Sequence, residues 1–407
     1  MRRAAIGALV LLAALAARPA RAGFTETLPK GVVLIDASYV LSTLDSGYDD
    51  HGKRGALIEE VDRYEPGGGK QGTLIPRPTV RFDILIAQLQ VGVLDDLSFG
   101  IGVPIVLKTR VDPRLGWEPG DYQWTMGRPY SEGDFWQWAG SMGQPKPTTW
   151  EGNKGVLGDI VLAARYRYTD AIPWFRDHGL ALSVFAFGAV PTGRQADPEE
   201  VLAVGTTTWD LNAQGDLGLH VSADKSFKKE LDDRLVLGVD AYYEAFLPHR
   251  YRTPTGRKNP LLLTYAPYVG KHYTLDPGDF LGASFQTDVV AWRGPALRTW
   301  IVKKDAAKAA KLPPILVFSF RYTFNYMFQS DWKSDSPLWD YDRERLWRPG
   351  YKNILTGKVS LNLLRLGVPL IPYAAYRNLT WIPGKNSRAV DTWMAGVQVP
   401  LKFGAGM

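Results

Sequence analysis

The sequence contains no cysteine. Disulfide bonds, thiolate metal sites, cysteine nucleophiles and lipid attachment through cysteine are therefore excluded. Long apolar runs are also scarce, because after residue 22 no stretch reaches the ~20 apolar residues that a helix needs to cross a bilayer. A membrane-spanning form of the mature chain would have to cross with β-strands, since only helices and closed barrels satisfy every backbone hydrogen bond in lipid.

The chain also lacks a strong excess of either charge. Its formal net charge is +6, and residues 1–22 contain four Arg and no acidic residue, which leaves +2 for the remainder. This balance argues against nucleic acid as a partner. Aromatic residues are plentiful instead, at 12% with 14 Trp, and aromatic girdles are typical of membrane interfaces.

The N-terminus has the three parts of a secretory signal. Met1-Arg2-Arg3 is basic, Ala4 to Ala17 is apolar, and Ala20-Arg21-Ala22 is a small-x-small motif. This pattern predicts a signal peptide, 1–22, cleaved before Gly23. The alternative is an uncleaved membrane anchor, for which the apolar run is short.

Alternation with a period of two dominates the rest of the chain. From Trp209 to Asp224, apolar residues occupy one parity and polar residues the other. A strand this long with an unbroken polar row indicates a wall between lipid and water. Similar candidate strands, about 12 in all, lie near 31–42, 78–92, 96–109, 157–169, 179–190, 207–225, 234–247, 279–292, 315–329, 354–365, 369–380 and 391–403.

Long and short connections alternate between these strands, as in bacterial outer-membrane barrels. The sequence therefore predicts an all-β fold, a transmembrane antiparallel up-and-down β-barrel of about 12 strands. It forms one domain over 23–407, and most periplasmic turns are short. The long connection 293–314 is the exception, and its Lys/Ala-rich part predicts a short helix. The large outer loops are expected near 43–77, 110–156, 248–278 and 330–353.

Two of the candidate strands alternate poorly. In 78–93, Arg81 and Asp83 fall on one parity and Gln88 and Gln90 on the other, which predicts a β-bulge near Leu85. The segment 179–190 is apolar on both parities. The last strand closes on Phe403 and resembles the signal read by the barrel insertion machinery, although Gly404-Ala405-Gly406-Met407 follows it.

Three segments resemble a known family. They are the run from Gly158 to Tyr168, Ala189-Val190-Pro191-Thr192-Gly193, and Trp209-Asp210-Leu211. The match, best over about 80–240, is to outer-membrane barrels of the phenol-degradation meta-pathway family, which are placed beside the FadL-like transporters. The resemblance implies a barrel that passes small, often aromatic or apolar, molecules. The residues between Gly23 and Lys30 are too few for the N-terminal hatch of long-chain fatty-acid channels.

The polar parity of the strands predicts the residues that line the lumen. Asp83 and Lys108 belong to this inward set, and its main members are Arg165, Arg167, Asp210, Asp216, His220, Asp240, Glu244 and Arg321. Because unpaired charges away from water are costly, one interpretation is a network of salt bridges that stiffens the interior. The other is a charge-lined constriction that sets ion preference.

The loop 110–156 is the candidate for solute specificity because it is rich in aromatic residues. Trp124, Trp136, Trp138 and Trp150 are its main members. Exposed aromatic clusters are typical of ligand sites. The alternative is a loop whose Trp side chains pack on neighbouring loops or at lipid headgroups.

Catalytic and metal sites have weak signals. Only His220 lies within a strand near a serine, Ser222, and same-face neighbours lie about 7 Å apart, too far for direct proton transfer. The acidic loop around Asp331 and Asp335 could hold calcium, but its spacing matches no compact motif. We therefore expect no enzyme activity and no cofactor.

The expected function is passive diffusion of a small hydrophobic or aromatic solute across the outer membrane of a Gram-negative bacterium. The expected partners are outer-membrane lipids, the insertion machinery during assembly and the solute itself. A sealed structural or interaction barrel is the first alternative, because pore width depends on how the loops fold. A lipid-modifying enzyme is the second alternative.

Overall fold

Twelve antiparallel strands close into one barrel in the computed structural model. The structure describes residues 23–57, 60–64, 68–121, 127–141, 146, 148–169, 172–193, 201–202, 206–207, 215–227, 231–252, 271–294, 313–336 and 349–402. The barrel strands are β1 (Val32–Tyr48), β2 (Thr79–Gly92), β3 (Leu97–Asp112), β4 (Ile160–Arg167), β5 (Leu180–Val190), β6 (Asp216–Ser226), β7 (Leu235–Phe246), β8 (Phe280–Trp292), β9 (Leu316–Met327), β10 (Gly350–Leu361), β11 (Ile371–Asn378) and β12 (Ser387–Lys402).

Each strand pairs with the next one along the chain, and β12 pairs with β1 to close the sheet. This up-and-down order confirms the predicted fold class, an all-β barrel of the outer-membrane type. Closure leaves no unpaired sheet edge, which is the condition for a sheet to cross lipid. Among the described residues, no helix is both long and apolar enough to span a membrane.

The sequence alternation determines which side chains face lipid. On β6 the odd-numbered residues are exposed, with Leu217 at 57% and Leu219 at 52%, whereas Asp216 and His220 are buried. The same division holds on β9, where Phe320 is 59% exposed and Thr323 is buried. Polar side chains of these strands therefore lie on the inner face of the barrel.

The strands lie where the alternation predicts them, with shifts at their ends. β1 extends to Tyr48, and β10 begins at Gly350, four residues before the predicted start. β6 begins at Asp216, because Gly215 adopts a left-handed φ of 68°. The earlier part of the predicted strand, 208–214, lies outside the described residues, as do the signal peptide 1–22, the helix in 293–314 and Phe403.

The predicted bulge near Leu85 is wrong in position. The register between β2 and β3 shifts between Asp83 and Ile84, and the extra residue is Leu107 on β3. β2 itself keeps one parity inward, because the large apolar side chains of Phe82 and Ile84 are buried there.

Asp83 and Lys108, predicted to line the lumen, consequently lie on the outer face. Tyr39, a 39% exposed side chain of that face, donates its hydroxyl hydrogen to Asp83. Lys108 Nζ lies 3.0 Å from Oε1 of Glu151. Leu107 is an extra residue in β3, so the residues that follow it have exchanged the inner and outer faces.

The long connections fold into small structures at one end, here the outer end, since barrels of this type have long extracellular loops and short periplasmic turns. One three-stranded sheet (Val61–Tyr64, Lys70–Pro76 and Leu115–Pro119) packs with helix α1 (Glu132–Ser141). A second consists of His249–Arg252, His272–Asp276 and Asp331–Ser334. The remaining elements are Arg54–Ala56, Trp150–Gly152, Val156–Leu157, Pro173–Asp177, Val201–Leu202, Thr206–Thr207 and the 3-10 turn Leu363–Leu366.

Candidate functional site in the barrel lumen

One side of the lumen carries a cluster of apolar side chains. We call it the apolar wall: the apolar inward side chains on the outer halves of β12, β1, β2 and β3, which lie among a few buried polar ones such as Ser42 and Thr392. Its members pack in one cluster, to which Leu57 and Trp150 of the outer loops and Tyr373 of β11 also belong. Ile84 is 2% exposed and Ile86 0%. The wall consists of Val40, Leu44, Val80, Phe82, Ile84, Ile86, Val106, Val111, Val390 and Met394.

The inward side chains of β6, β7 and β8 form an acidic wall. Its carboxylates are all buried, and in the described part of these strands no Lys or Arg faces inward. Gln286 lies on the same face of β8, and its Nε2 donates to Oδ2 of Asp288 at 2.7 Å. The acidic wall contains Asp216, Asp224, Asp240, Glu244 and Asp288.

The next three strands, β9, β10 and β11, carry a basic wall. Arg321, Lys352, Lys358 and Arg377 face inward, and no carboxylate shares this face in the described residues. Gln286 bridges the two walls, because its Oε1 accepts from Nε and Nη2 of Arg321 at 3.0 and 2.6 Å. Positive and negative side chains therefore occupy adjacent sectors of the lumen instead of alternating around it.

His220 is surrounded by aromatic rings on the acidic side of the lumen. Its ring stacks on Tyr242 with centroids 4.7 Å apart, and the Phe185 and Phe187 rings lie at 5.3 and 5.8 Å. Two glycines make room for these rings. A Cβ on Gly218 would lie 2.1 Å from Cε1 of Phe187, and one on Gly282 would lie 2.1 Å from Cζ of Tyr242.

His220 and Ser222 are not arranged as a catalytic base and nucleophile. Nδ1 of His220 lies 2.9 Å from Oδ2 of Asp240, and Ser222 Oγ donates to Oδ1 of the same carboxylate at 2.5 Å. The Ser222 hydrogen is therefore engaged by a carboxylate, whereas an activated serine needs its hydrogen on the imidazole. This geometry gives no support to a lipid-modifying enzyme.

The residues predicted to line the lumen fall into three groups. Asp216, His220, Asp240 and Glu244 lie on the acidic wall and Arg321 on the basic wall. Arg165 and Arg167 face inward from β4 at the periplasmic end, where both contact the chain N-terminal to β1. Asp210 lies outside the described residues.

Residues Gly23–Lys30, here called the inner segment, lie across the periplasmic end of the lumen. Near β1, Lys30 N donates to Oδ1 of Asp95 at 2.9 Å, and Leu28 N donates to Oγ of Ser98 at 2.7 Å. Farther along, Nη1 of Arg167 lies 3.8 Å from Oε2 of Glu26. The segment thus passes from the β2–β3 turn to β4.

The inner segment ends against the opposite side of the barrel. Phe24 is 0% exposed, and its ring lies 4.7 Å from the Arg321 guanidinium carbon. Nη1 of Arg165 donates to the Phe24 carbonyl oxygen at 2.6 Å. This placement was not predicted from the sequence, although an extended segment of this length is long enough to reach across a barrel this narrow.

Most of the described loop aromatics lie in the outer subdomain, which consists of α1 and the three-stranded outer sheet of 61–64, 70–76 and 115–119, and they form its core. Trp117 stacks on Phe135 with centroids 5.1 Å apart, and Trp136 lies edge-on to Phe135 at 4.7 Å. Trp136 Nε1 donates to Oε1 of Glu132 at 3.1 Å, and Trp138, at 40% exposed, lies 4.5 Å from the Arg63 guanidinium carbon.

The two remaining loop tryptophans differ from these. Trp150 pairs with Val111 and packs on the apolar wall. Trp124 lies outside the described residues. The described loop aromatics therefore pack within the loops or at the mouth of the apolar wall.

Metal ligands are sparse in the described residues. The one group that could hold an ion, Asp49, Asp50 and His51, lies largely exposed in the loop after β1. Exposed acidic groups of this kind are common without an ion. The predicted acidic loop is only partly described: Asp331 pairs with Asp276 in an outer sheet, and Asp335 Oδ1 accepts from His272 N at 2.9 Å.

Sequence reasoning missed the apolar wall and Phe24. The apolar inner face could have been recognised from strands that are apolar on both parities. Such strands are β5, where Phe185 and Phe187 face inward, and most of β2. Phe24 gave no comparable signal, because it lies before the first alternating segment.

No protein-family model matches the sequence, and no curated protein matches it either. Among solved structures, the COG4313 outer membrane channel from Pseudomonas putida F1 has a TM-score of 0.53 at 9% identity, covering 94% of this chain and 99% of that one. The P. putida toluene transporter TodX has a TM-score of 0.35 at 12% identity, covering 97% and 94%. The NanC porin has 0.33 at 10% identity, covering 88% and 100%. The first of these likenesses shows that the chain has the fold of an outer-membrane barrel.

Proposed function

We propose that this protein is an outer-membrane channel for the passive diffusion of small hydrophobic or aromatic molecules. The observation that carries the proposal is the division of one lumen into an apolar wall and a charged side. Porin interiors are generally polar throughout. Small-molecule sites, in contrast, combine a mostly apolar lining with a few placed polar groups. The lumen described here is charged on its acidic and basic walls, but unlike a uniformly polar interior it also offers an apolar wall that a hydrophobic solute can contact.

The rings around His220 supply surfaces suited to a flat solute. Aromatic pairs favour offset or edge-to-face contacts at centroid distances of about 4.5–7 Å. Phe185, Phe187 and Tyr242 lie in this range from His220. An aromatic solute with a hydroxyl or carboxylate group could contact these rings while its polar group meets the charged walls. The resemblance to the phenol-degradation barrels supports the same solute class.

A sealed barrel is the second candidate, and a specific observation favours it. The apolar wall is closely packed, with Val40 1% exposed and Ile86 0%, and the inner segment crosses the periplasmic end. Flux measurements separate the two functions, because a sealed barrel adds no permeability to a vesicle.

The experiment is solute entry into proteoliposomes containing the purified, refolded protein. Benzenesulfonate is the probe, because as the anion of a strong acid it stays charged and does not cross lipid unaided, and glucose is the polar comparison. We expect benzenesulfonate to enter several-fold faster than into empty vesicles and faster than glucose. The Phe187→Ala variant should lower benzenesulfonate entry, whereas Phe320→Ala removes the same side chain from the lipid face and serves as the matched control.

Each outcome decides between the candidates. Entry no faster than in empty vesicles for either solute supports the sealed barrel and overturns the proposal. Equal entry of benzenesulfonate and glucose, unaffected by Phe187→Ala, leaves a channel but removes the preference for aromatic solutes.

A further inference from the structure

Asp224 on β6 is the anchor of the inner segment. It is 5% exposed, and its carboxylate accepts three hydrogen bonds from the segment. Phe24 N donates to Oδ1 at 2.9 Å, and Thr25 N and Oγ1 donate to Oδ2 at 2.6 and 2.7 Å. Among the described residues no Lys or Arg forms an ion pair with this carboxylate. A buried charge is costly unless a counter-charge or sufficient hydrogen bonds stabilise it.

Gly23 lies directly against the same carboxylate. A Cβ on Gly23 would lie 2.2 Å from Oδ2 of Asp224, and Gly23 has a φ of 118°, a conformation that side chains disfavour. The main chain of Gly23, the first residue after the predicted cleavage site, therefore lies against this carboxylate, and only glycine fits there without displacing it.

The predicted processing step would change the charge at this position. Hydrolysis of the Ala22–Gly23 peptide bond by water leaves a carboxylate on Ala22 and an amine on Gly23. An α-amino group has a reference pKa of about 7.7–8.0, so it is largely protonated at neutral pH. Before cleavage the same nitrogen is an uncharged amide.

We propose that removal of the signal peptide completes a latch, in which the new α-ammonium of Gly23 pairs with Asp224 and fixes the inner segment across the periplasmic end of the lumen. The latch acts with a second contact that needs no cleavage. A Cβ on Gly238 would lie 2.7 Å from Cδ2 of Phe24, so the Phe24 ring packs directly on the β7 backbone with Arg321 on its face. The cation and the ring together stabilise the docked segment.

The latch predicts that the periplasmic end is held closed in the mature protein but not in one with extra N-terminal residues. Only the predicted effect of the latch on solute flux rests on the proposed function. Docking of the segment can be measured separately, because an α-amine held against Asp224 is protected from reagents in solution.

The test measures the rate at which an amine-specific reagent modifies the α-amine of the mature, refolded protein in vesicles, followed by peptide mass spectrometry. Asp224→Asn keeps the shape and loses the charge, and we expect modification at least about tenfold faster, since contacts of an ammonium and of N–H donors with a charged carboxylate are stronger than those with a neutral amide. Phe24→Ala removes the ring contact and should also speed modification. Asp36→Asn is the matched control: Asp36 is buried on β1 and accepts from Tyr373 and Gln398, away from the segment.

A variant with Ala-Ser inserted before Gly23 tests the latch by solute flux. If the barrel conducts benzenesulfonate, the extended protein and Asp224→Asn should conduct more than wild type. Rapid modification in wild type, equal rates in wild type and Asp224→Asn, or a mature chain that begins at another residue overturns the latch. Slow modification in a barrel that conducts nothing leaves the latch standing and overturns the proposed function alone.

Discussion

The apolar wall and the acidic wall share one lumen but are stabilised in different ways. The apolar wall depends on close packing: each buried Ile or Phe contributes roughly 1.5–3 kcal/mol relative to an exposed one. The acidic wall depends on partners, as Asp240 shows by accepting from both Ser222 and His220. A change of size should therefore matter most in the first wall, and a lost acceptor should matter most in the second.

The same contrast is visible in the sequence. β6 and β7 of the acidic wall alternate cleanly, because lipid lies on one face and polar side chains on the other. β2 of the apolar wall alternates poorly, because both faces are apolar over much of its length. Weak alternation within a barrel strand is thus a sign of an apolar lumen lining, provided that the neighbouring strands alternate well.

The largest effect is expected when a charge enters the apolar wall. Ile84→Asp places a carboxylate among buried apolar side chains, with Ile84 itself 2% exposed. We expect the free energy of unfolding, measured by urea titration in vesicles, to fall by at least about 3 kcal/mol. Ile84→Leu conserves volume and should cost less than about 1.5 kcal/mol. Equal stability of the two variants would show that the wall contacts water.

A smaller effect is expected when the acidic wall loses an acceptor. Asp240→Ala leaves the Ser222 hydroxyl and Nδ1 of His220 without this carboxylate. The same urea titration should show a loss of about 1–3 kcal/mol. Asp240→Asn retains one acceptor oxygen and should lose less. If alanine is as well tolerated as asparagine, the contacts to Asp240 do not stabilise this wall.

The smallest effect is expected outside both walls, at α1. The Arg128 guanidinium and the Ser131 hydroxyl hold the pKa of the half-buried Asp134 carboxyl well below its usual range. Because the folded-state pKa is lowered, this stabilisation is complete above the unfolded pKa and is lost as the pH falls through the folded value. Amide exchange protection of 132–141 should be unchanged from pH 7 to 5 and fall in strong acid. Asp134→Asn should lower protection at pH 7 and remove this pH dependence, while the walls remain protected.

The sequence allows the barrel to be predicted because its signal is local. Each strand carries its own alternation, so Leu217 and Asp216 can be assigned to opposite faces without knowledge of their neighbours. The inward positions of His220, Asp240 and Glu244 follow from the same rule. Asp83 was assigned wrongly because the bulge predicted near Leu85 does not occur on β2, and Lys108 because one inserted residue, Leu107, reverses the parity of β3 beyond it.

The inner segment could not be predicted from such a local signal. Phe24 contacts residues nearly 300 positions away, such as Arg321, and no periodicity links them. The packing of Trp136 on Phe135 is a similar case, since the outer subdomain combines strands from two different loops. Contacts of this kind depend on closure of the whole barrel, which brings distant parts of the chain together.

Gly218 and Gly282 determine how two aromatic rings pack inside the barrel, so substitutions there would alter its interior. Each glycine lets a neighbouring ring lie directly on the strand, so the positions of the rings beside His220 depend on residues that have no side chain. An added methyl group at either position would displace Phe187 or Tyr242. The packing of the rings around His220 can therefore be changed from within the wall, while the lipid-facing surface of the protein stays the same.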